Sequence, residues 1–240
     1  MNDQSRRIAE AVQSGALLES SAANLQKLLS TSKDAVVHQS IGELVAAGHW
    51  AELNDRFFRT LAFGTGGLRG RTIARTVTAA ERGNPPESSR PEHPCVGTNA
   101  MNGFNVSRAT QGLVAYLKEY HAASGKPGRP ALVIAHDTRF FSPEFSALSA
   151  KVASENGVDV YLFEGARSTP QLSFTVRDKN AQAGIVITAS HNPPHDNGYK
   201  VYFDQGAQVV EPHASGIIAK VNALETDSYT PLPPEAQGKV

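Results

Sequence analysis

The chain has 240 residues, with 23 basic and 23 acidic side chains and no formal net charge. That balance leaves out the basic footprint of a nucleic-acid binder, and no apolar run approaches the roughly 18 residues that a membrane helix needs. Apolar residues make up 40%, enough for a core, and a single cysteine, Cys95, forms no internal disulfide, which fits a reducing, cytoplasmic setting.

Residues 1–60 read as a helical lead-in. Ile8, Val12, Leu17, Leu25, Leu28 and Leu29 make a loose apolar stripe, and Leu44, Val45, Leu53, Phe57 and Leu61 a stronger one. The next stretch, Phe63–Gly70, carries glycines at 64, 66, 67 and 70. Pro85, Pro86, Pro91 and Pro94 then mark 81–103 as a long loop. From Asn105 the residues Val106, Ala109, Leu113, Tyr116, Leu117 and Tyr120 recur at helical spacing. Gly125–Pro130 breaks that helix, and Ala131–Ala135 reads as a strand. Ser142-Pro143 opens a helix that stops at Asn156-Gly157. Val158–Phe163 is a second strand, and Thr169-Pro170 opens a helix running to about Lys179. Gly184–Thr188 and Tyr199–Phe203 are two more strands, Glu211–Leu224 a closing helix. The tail from Thr226, with Pro231, Pro233 and Pro234, reads as a linker.

Strands alternating with helices of this length predict an α/β fold: a three-layer αβα sandwich with a mixed, mostly parallel sheet and an N-terminal helical extension. The domain reading is 1–60 extension, 61–225 main domain, 226–240 linker. Asn197-Gly198 is expected to turn the chain and make the last strand pair antiparallel. Ligands of such sheets bind beyond the carboxyl ends of the strands. Ser190 and the segment His136-Asp137-Thr138-Arg139 both follow strands, so they share a rim.

Ser190 draws attention because of its neighbours. His191 can carry a proton near neutral pH. Lys200 is a point charge suited to phosphate oxygens, returned toward the serine by the expected turn. Glycines such as Gly66 and Gly67 let backbone N–H groups approach phosphate. Asp137 and Arg139 form an Asp-x-Arg pair that reads first as a local ion pair. The Gly-x-Ser-x-Gly elbow of esterases is missing around Ser190, which argues against a serine hydrolase. The histidines show no metal-ligand spacing.

The stretch Thr188-Ala189-Ser190-His191-Asn192-Pro193, followed by Asn197-Gly198-Tyr199-Lys200-Val201-Tyr202, resembles the phosphoserine loop of the α-D-phosphohexomutases, the phosphoglucomutase and phosphomannomutase enzymes. Phe63–Gly70, Gly97-Thr98-Asn99 with Met101-Asn102, His136–Arg139 and Ser168-Thr169-Pro170 match in the same order. The wording is nearest the branch with phosphoglucomutase-2-like enzymes and phosphopentomutases. One departure is Ala100, where relatives often carry arginine. The resemblance implies that Ser190 carries a phosphoryl group and passes it between the C1 and C6 (or C5) hydroxyls of a sugar monophosphate through a bisphosphate. It implies Mg²⁺ on the phosphate of Ser190, with its other ligands outside this chain, and a glucose 1,6-bisphosphate-type activator. His191 and Lys200 match positions tied to proton transfer, Arg69 the arginine of the glycine-rich loop, and Asp137 and Arg139 a segment bordering the cleft, so Arg69, Gly66, Gly67, Asp137 and Arg139 are expected to bind the substrate or its phosphate.

In that family the metal loop, the sugar-reading loop and a distal phosphate loop lie in three further domains, and none of their motifs occurs here. The expectation is therefore a first domain that works with the remaining domains of the same enzyme. The alternative is a non-catalytic sugar-phosphate binding or regulatory module.

Overall fold

The computed structural model describes residues 3–64 and 66–240. They fall into two compact units. One takes the chain up to Ala62 together with Gly70–Asn102, the other Phe63–Arg69 and Gly103–Val240.

The first unit opens with four helices, α1 (Asp3–Gln13), α2 (Glu19–Thr31), α3 (Ala35–Ala46) and α4 (Trp50–Phe57). Leu25, Leu28, Ile41, Leu44, Val45, Leu53 and Phe57 are buried among them, so the apolar stripes of the sequence face inward. The Asp34 carboxylate accepts the Val36 N–H and starts α3. The expected loop at 81–103 is irregular but held. A one-turn helix, α5 (Ala79–Arg82), has a reciprocal capping box between Thr78 and Glu81. Glu81 in turn meets the buried Arg56, whose Nη1 donates to Glu81 Oε1 at 2.5 Å and whose Nε donates to Glu52 Oε1 at 2.8 Å.

The second unit is a sheet with helices on both faces. Its strands are β1 (Gly67–Arg71, which begins here and crosses the unit boundary), β2 (Ala131–His136), β3 (Asp159–Leu162), β4 (Ala183–Ile187) and β5 (Asp196–Phe203). The spatial order is β1-β5-β4-β2-β3. β2 pairs parallel with both β3 and β4, whereas β5 runs antiparallel to β4 with Val186 opposite Lys200. The predicted α/β class and mixed sheet are therefore present. On one face α7 (Ser142–Glu155) packs on β2, β3 and β4, with α6 (Gly103–Ala123) beside it and α9 (His213–Asn222) against α6. α8 (Thr169–Asp178) covers the other face through Leu172 and Val176, which pack with Val133, Ala135 and Val186. These residues alternate along β2 with Leu132 and Ile134, as strand geometry requires.

Two expectations change. Asn197-Gly198 is not the turn: both residues lie inside β5 and are buried, and the chain reverses over 190–195 instead. The Asn197 Nδ2 donates to Phe140 O and Ser142 Oγ, so its side chain is spent on the α7 approach rather than on a hairpin. Gly198 has a packing reason: a Cβ there would sit 2.6 Å from Thr188 O and 3.0 Å from Leu68 O. The glycine-rich stretch, read only as a loop, leads into β1. The segment after Thr226 hydrogen-bonds along the second unit, with Val160 N–H donating to Lys239 O at 2.7 Å on the outer edge of β3.

Candidate active site

The apolar strand β4 is wholly buried and delivers Thr188, Ala189 and then Ser190 to the carboxyl rim of the sheet. β2 is parallel to β4 and ends at the same rim, which brings His136–Arg139 alongside. Asp137 N–H donates to Ile187 O at 3.1 Å and joins the two strand exits.

Ser190 is exposed and has a φ of +55°, the left-handed region that a serine rarely enters. Such a conformation costs on the order of 1–3 kcal/mol and persists only where the surroundings fix it. Its N–H donates to Thr188 Oγ1 at 3.0 Å, and the Asn192 N–H donates to Ala189 O at 3.1 Å, closing a tight turn. Opposite, on β5, the Lys200 Nζ donates to Ser190 Oγ at 2.6 Å. Burial, with the Arg69 guanidinium nearby, holds the Lys200 pKa below the usual lysine value, while Asp137 opposes the shift.

Arg69 comes from β1, the neighbour of β5, and donates to Asn192 Oδ1 at 3.2 Å. The Asn192 amide donates onward to Asp196 Oδ2 at 3.1 Å. The structure thus brings Ser190, Lys200 and Arg69 to one loop. His191 is exposed beside Ser190 and makes no hydrogen bond among the described residues.

Gly67 has a φ of +137°, and a Cβ there would lie 1.7 Å from Tyr199 O, so the glycine lets β1 approach β5. Its N–H donates to Gly64 O at 3.2 Å. Gly66 accepts the Val201 N–H at 3.0 Å. Arg139 turns inward: its guanidinium donates to the carbonyls of Ser190, Asn192, Pro193 and Asp196 rather than opening toward the rim. Asp137 Oδ1 accepts the Arg139 N–H and the Ser142 hydroxyl, each at 2.9 Å.

Sequence reasoning missed Asn192, Ser142 and Thr188. Asn192 stands between a histidine and two prolines, a position whose side chain has few local partners. Ser142 reads in the sequence as a helix start alone.

Among the described residues no group of three His, Cys, Asp or Glu side chains is placed to hold a metal ion. The two aspartates of this rim are already engaged, Asp137 by Arg139 and Ser142 and Asp196 by Asn192. A magnesium ion wants a near-octahedral oxygen set, and the described carboxylates do not form one. What the arrangement offers is a serine oxygen on a strained turn, a lysine within hydrogen-bond distance of it, and an arginine on the same loop.

The family model for the alpha/beta/alpha domain I of phosphoglucomutase/phosphomannomutase matches residues 95–228. A human phosphopentomutase is 35% identical over 195 residues, covering 79% of this chain and 28% of that protein. A Staphylococcus epidermidis phosphoglucomutase is 38% identical over 150 residues, covering 62% of this chain and 22% of that protein. A solved structure from Thermus thermophilus, of a protein provisionally described as a phosphomannomutase, superposes with a TM-score of 0.52 at 29% identity, over 68% of this chain and 30% of its own. The chain thus spans less than a third of the length of these relatives, and they carry more than one mutase name. With its mixed sheet and matched residues, the chain belongs to the phosphoglucomutase/phosphomannomutase family, as its α/β/α domain I.

Proposed function

We propose that Ser190 is the phosphoryl carrier of a sugar-phosphate mutase. The observation that carries this reading is the 2.6 Å contact from Lys200 Nζ to Ser190 Oγ, on a strained turn. In the forward step a sugar hydroxyl attacks the phosphorus of phosphorylated Ser190. The new bond forms between that hydroxyl oxygen and phosphorus, the bond from phosphorus to Ser190 Oγ breaks, and the hydroxyl proton passes to a base. The sugar bisphosphate turns over, and Ser190 Oγ, losing its proton to a base, attacks the other phosphorus; the bond from that phosphorus to the sugar oxygen breaks, that oxygen takes up a proton, and the phosphoserine is restored.

Phosphoryl transfer depends chiefly on positioning and charge neutralisation. Lys200, as an ammonium, donates to Ser190 Oγ and stabilises that oxygen as it leaves. As an amine it accepts a proton, and its lowered pKa brings that form closer to neutral pH. His191, exposed beside Ser190, is the other proton carrier. Arg69 supplies positive charge to phosphate oxygens from the glycine-rich stretch shaped by Gly66 and Gly67. Asp137 and Arg139 support the loop from behind. In this reading 61–225 form the phosphoserine domain, 1–60 an extension and 226–240 a connecting segment.

Magnesium and a glucose 1,6-bisphosphate-type activator follow from the family reading, as does a cytoplasmic setting, which the buried thiol of Cys95 suits. No described helix is long and apolar enough to cross a membrane. The substrate is a sugar monophosphate, and the wording around Ser190 favours the branch with phosphopentomutases.

The test is mass spectrometry of the intact protein after incubation with glucose 1,6-bisphosphate and Mg²⁺. The expected result is one phosphoryl group on Ser190 and no mutase activity in Ser190→Ala. Unaltered turnover in Ser190→Ala would reject the proposal. Calorimetric binding of a sugar phosphate with no phosphate on Ser190 would instead indicate a binding module.

A further inference from the structure

The guanidinium of Arg139 has five N–H donors, and its four Nη hydrogens are all engaged by loop carbonyls. Nη1 donates to Pro193 O at 2.9 Å and Asp196 O at 3.1 Å. Nη2 donates to Ser190 O at 2.7 Å and Asn192 O at 2.6 Å. Nε faces Asp137 Oδ2 at 3.5 Å. The side chain is only 13% exposed. The group is itself fixed, because Asp137 Oδ1 accepts the Arg139 N–H and the Ser142 hydroxyl, and Ser142 Oγ accepts from the buried Asn197 Nδ2. None of the four Nη hydrogens is left for a ligand oxygen, and Nε lies against the Asp137 carboxylate.

One planar cation therefore gathers four carbonyls across the whole turn from Ser190 to Asp196. Carbonyls that converge on one side of a loop repel each other unless a cation sits among them. The first of them belongs to Ser190, the residue at φ +55° whose conformation must be over-determined to persist. The peptide that follows is planar and trans, so anchoring the Ser190 carbonyl also aims the His191 N–H away from Arg139.

We infer that Arg139 is a positioning residue: it clamps the Ser190 loop from behind so that Ser190 Oγ stays within reach of Lys200, and it does not bind the substrate phosphate. This rests on Ser190 being the phosphoryl carrier. A lysine at 139 keeps the charge but has three donors on one atom and cannot span four carbonyls.

The experiment compares wild type with Arg139→Lys, and with Arg139→Met as a second variant, in the intact protein. A clamp predicts that kcat falls on the order of 100-fold in Arg139→Lys, the scale of a small misplacement of reacting groups, while KM for the sugar phosphate is unchanged. Amide hydrogen exchange at Asn192 and Asp196 is expected to accelerate while β4 stays protected. A raised KM with kcat retained would overturn the inference by making Arg139 a phosphate ligand. Unchanged kcat and unchanged loop exchange would overturn it by making the clamp idle. Loss of β4 protection in Arg139→Lys would overturn it by giving Arg139 a global role in folding. The exchange measurement also runs on the 240-residue chain without turnover. A wild type that is never phosphorylated on Ser190 would therefore fail the carrier reading while the clamp is still judged by exchange.

Discussion

At the scale of single residues, the site turns on how Lys200 is charged. Burial disfavours its ammonium, and the like charge of Arg69 adds to that, against a smaller opposing pull from Asp137. Replacing Arg69 by glutamine removes the second cause. The Lys200 pKa is then expected to rise toward the ordinary lysine value, measured by NMR titration of the Lys200 side chain. If the amine form is the base, the rising limb of the rate against pH moves to higher pH in Arg69→Gln, because more alkali is needed to free the amine. A Lys200 titration that stays put in Arg69→Gln would sever the link between the two cations. Cys95 offers a simpler check. It is 2% exposed, and burial pushes its thiol up to about 12, so it is a neutral thiol at neutral pH. Native protein should leave it unreacted with a thiol reagent over a time in which denaturant exposes it fully. Ser190 and Lys200 were legible in the sequence because their types match the chemistry and their segments follow or form strands, whereas Arg69 was legible only through the family resemblance. The inward turn of Arg139 was not, because an Asp-x-Arg tripeptide does not reveal which carbonyls will surround it.

At the scale of elements, the alternation of strands and helices in 105–224 was readable because each element carries its own period and its own stop. Ser142-Pro143 and Thr169-Pro170 start helices where the sequence placed them. β1 was not readable, since Gly67–Arg71 has little apolar content and pairs only because its glycines admit β5. The Asn197-Gly198 pair shows the same limit from the other side. In isolation it is a strong hairpin signal, but tertiary partners take the asparagine side chain and the space beside the glycine. Gly198→Ala puts a Cβ against two backbone oxygens that cannot rotate aside. It should cost about 1–3 kcal/mol by the usual scale of overpacking, read as a lower urea midpoint. A turn glycine would instead have tolerated alanine, or failed only through its φ. An unchanged midpoint would therefore refute the packing reason given for Gly198.

At the scale of the whole molecule, the unit containing the four N-terminal helices is organised around a buried charge that nothing local announces. Arg56 on α4 is 2% exposed and reaches Glu52 one turn back, Glu81 across 25 residues, Thr76 O and Val96 O. Glu81 closes the set by accepting the Val96 N–H at 2.7 Å. This helps to hold a proline-rich stretch that reads as a loop: an arginine far away in sequence ties it at Glu81 and Val96, beside contacts such as those of Glu43 and Asn102, and a composition of prolines and small residues cannot show that. Removing one partner of a buried ion pair leaves an uncompensated charge, at a cost of about 3–5 kcal/mol, whereas the intact pair is close to neutral against an apolar replacement. Arg56→Met strands both Glu52 and Glu81, so a loss of about that size is expected in chemical denaturation. Hydrogen exchange should locate it, with the Val96 amide losing protection first because its acceptor is the stranded Glu81. The triple variant with Glu52→Gln and Glu81→Gln removes the stranded charges and should recover part of the loss. If it recovers none, the arginine acts through its packing and carbonyl contacts, and the ion pairs are not what holds the stretch in place.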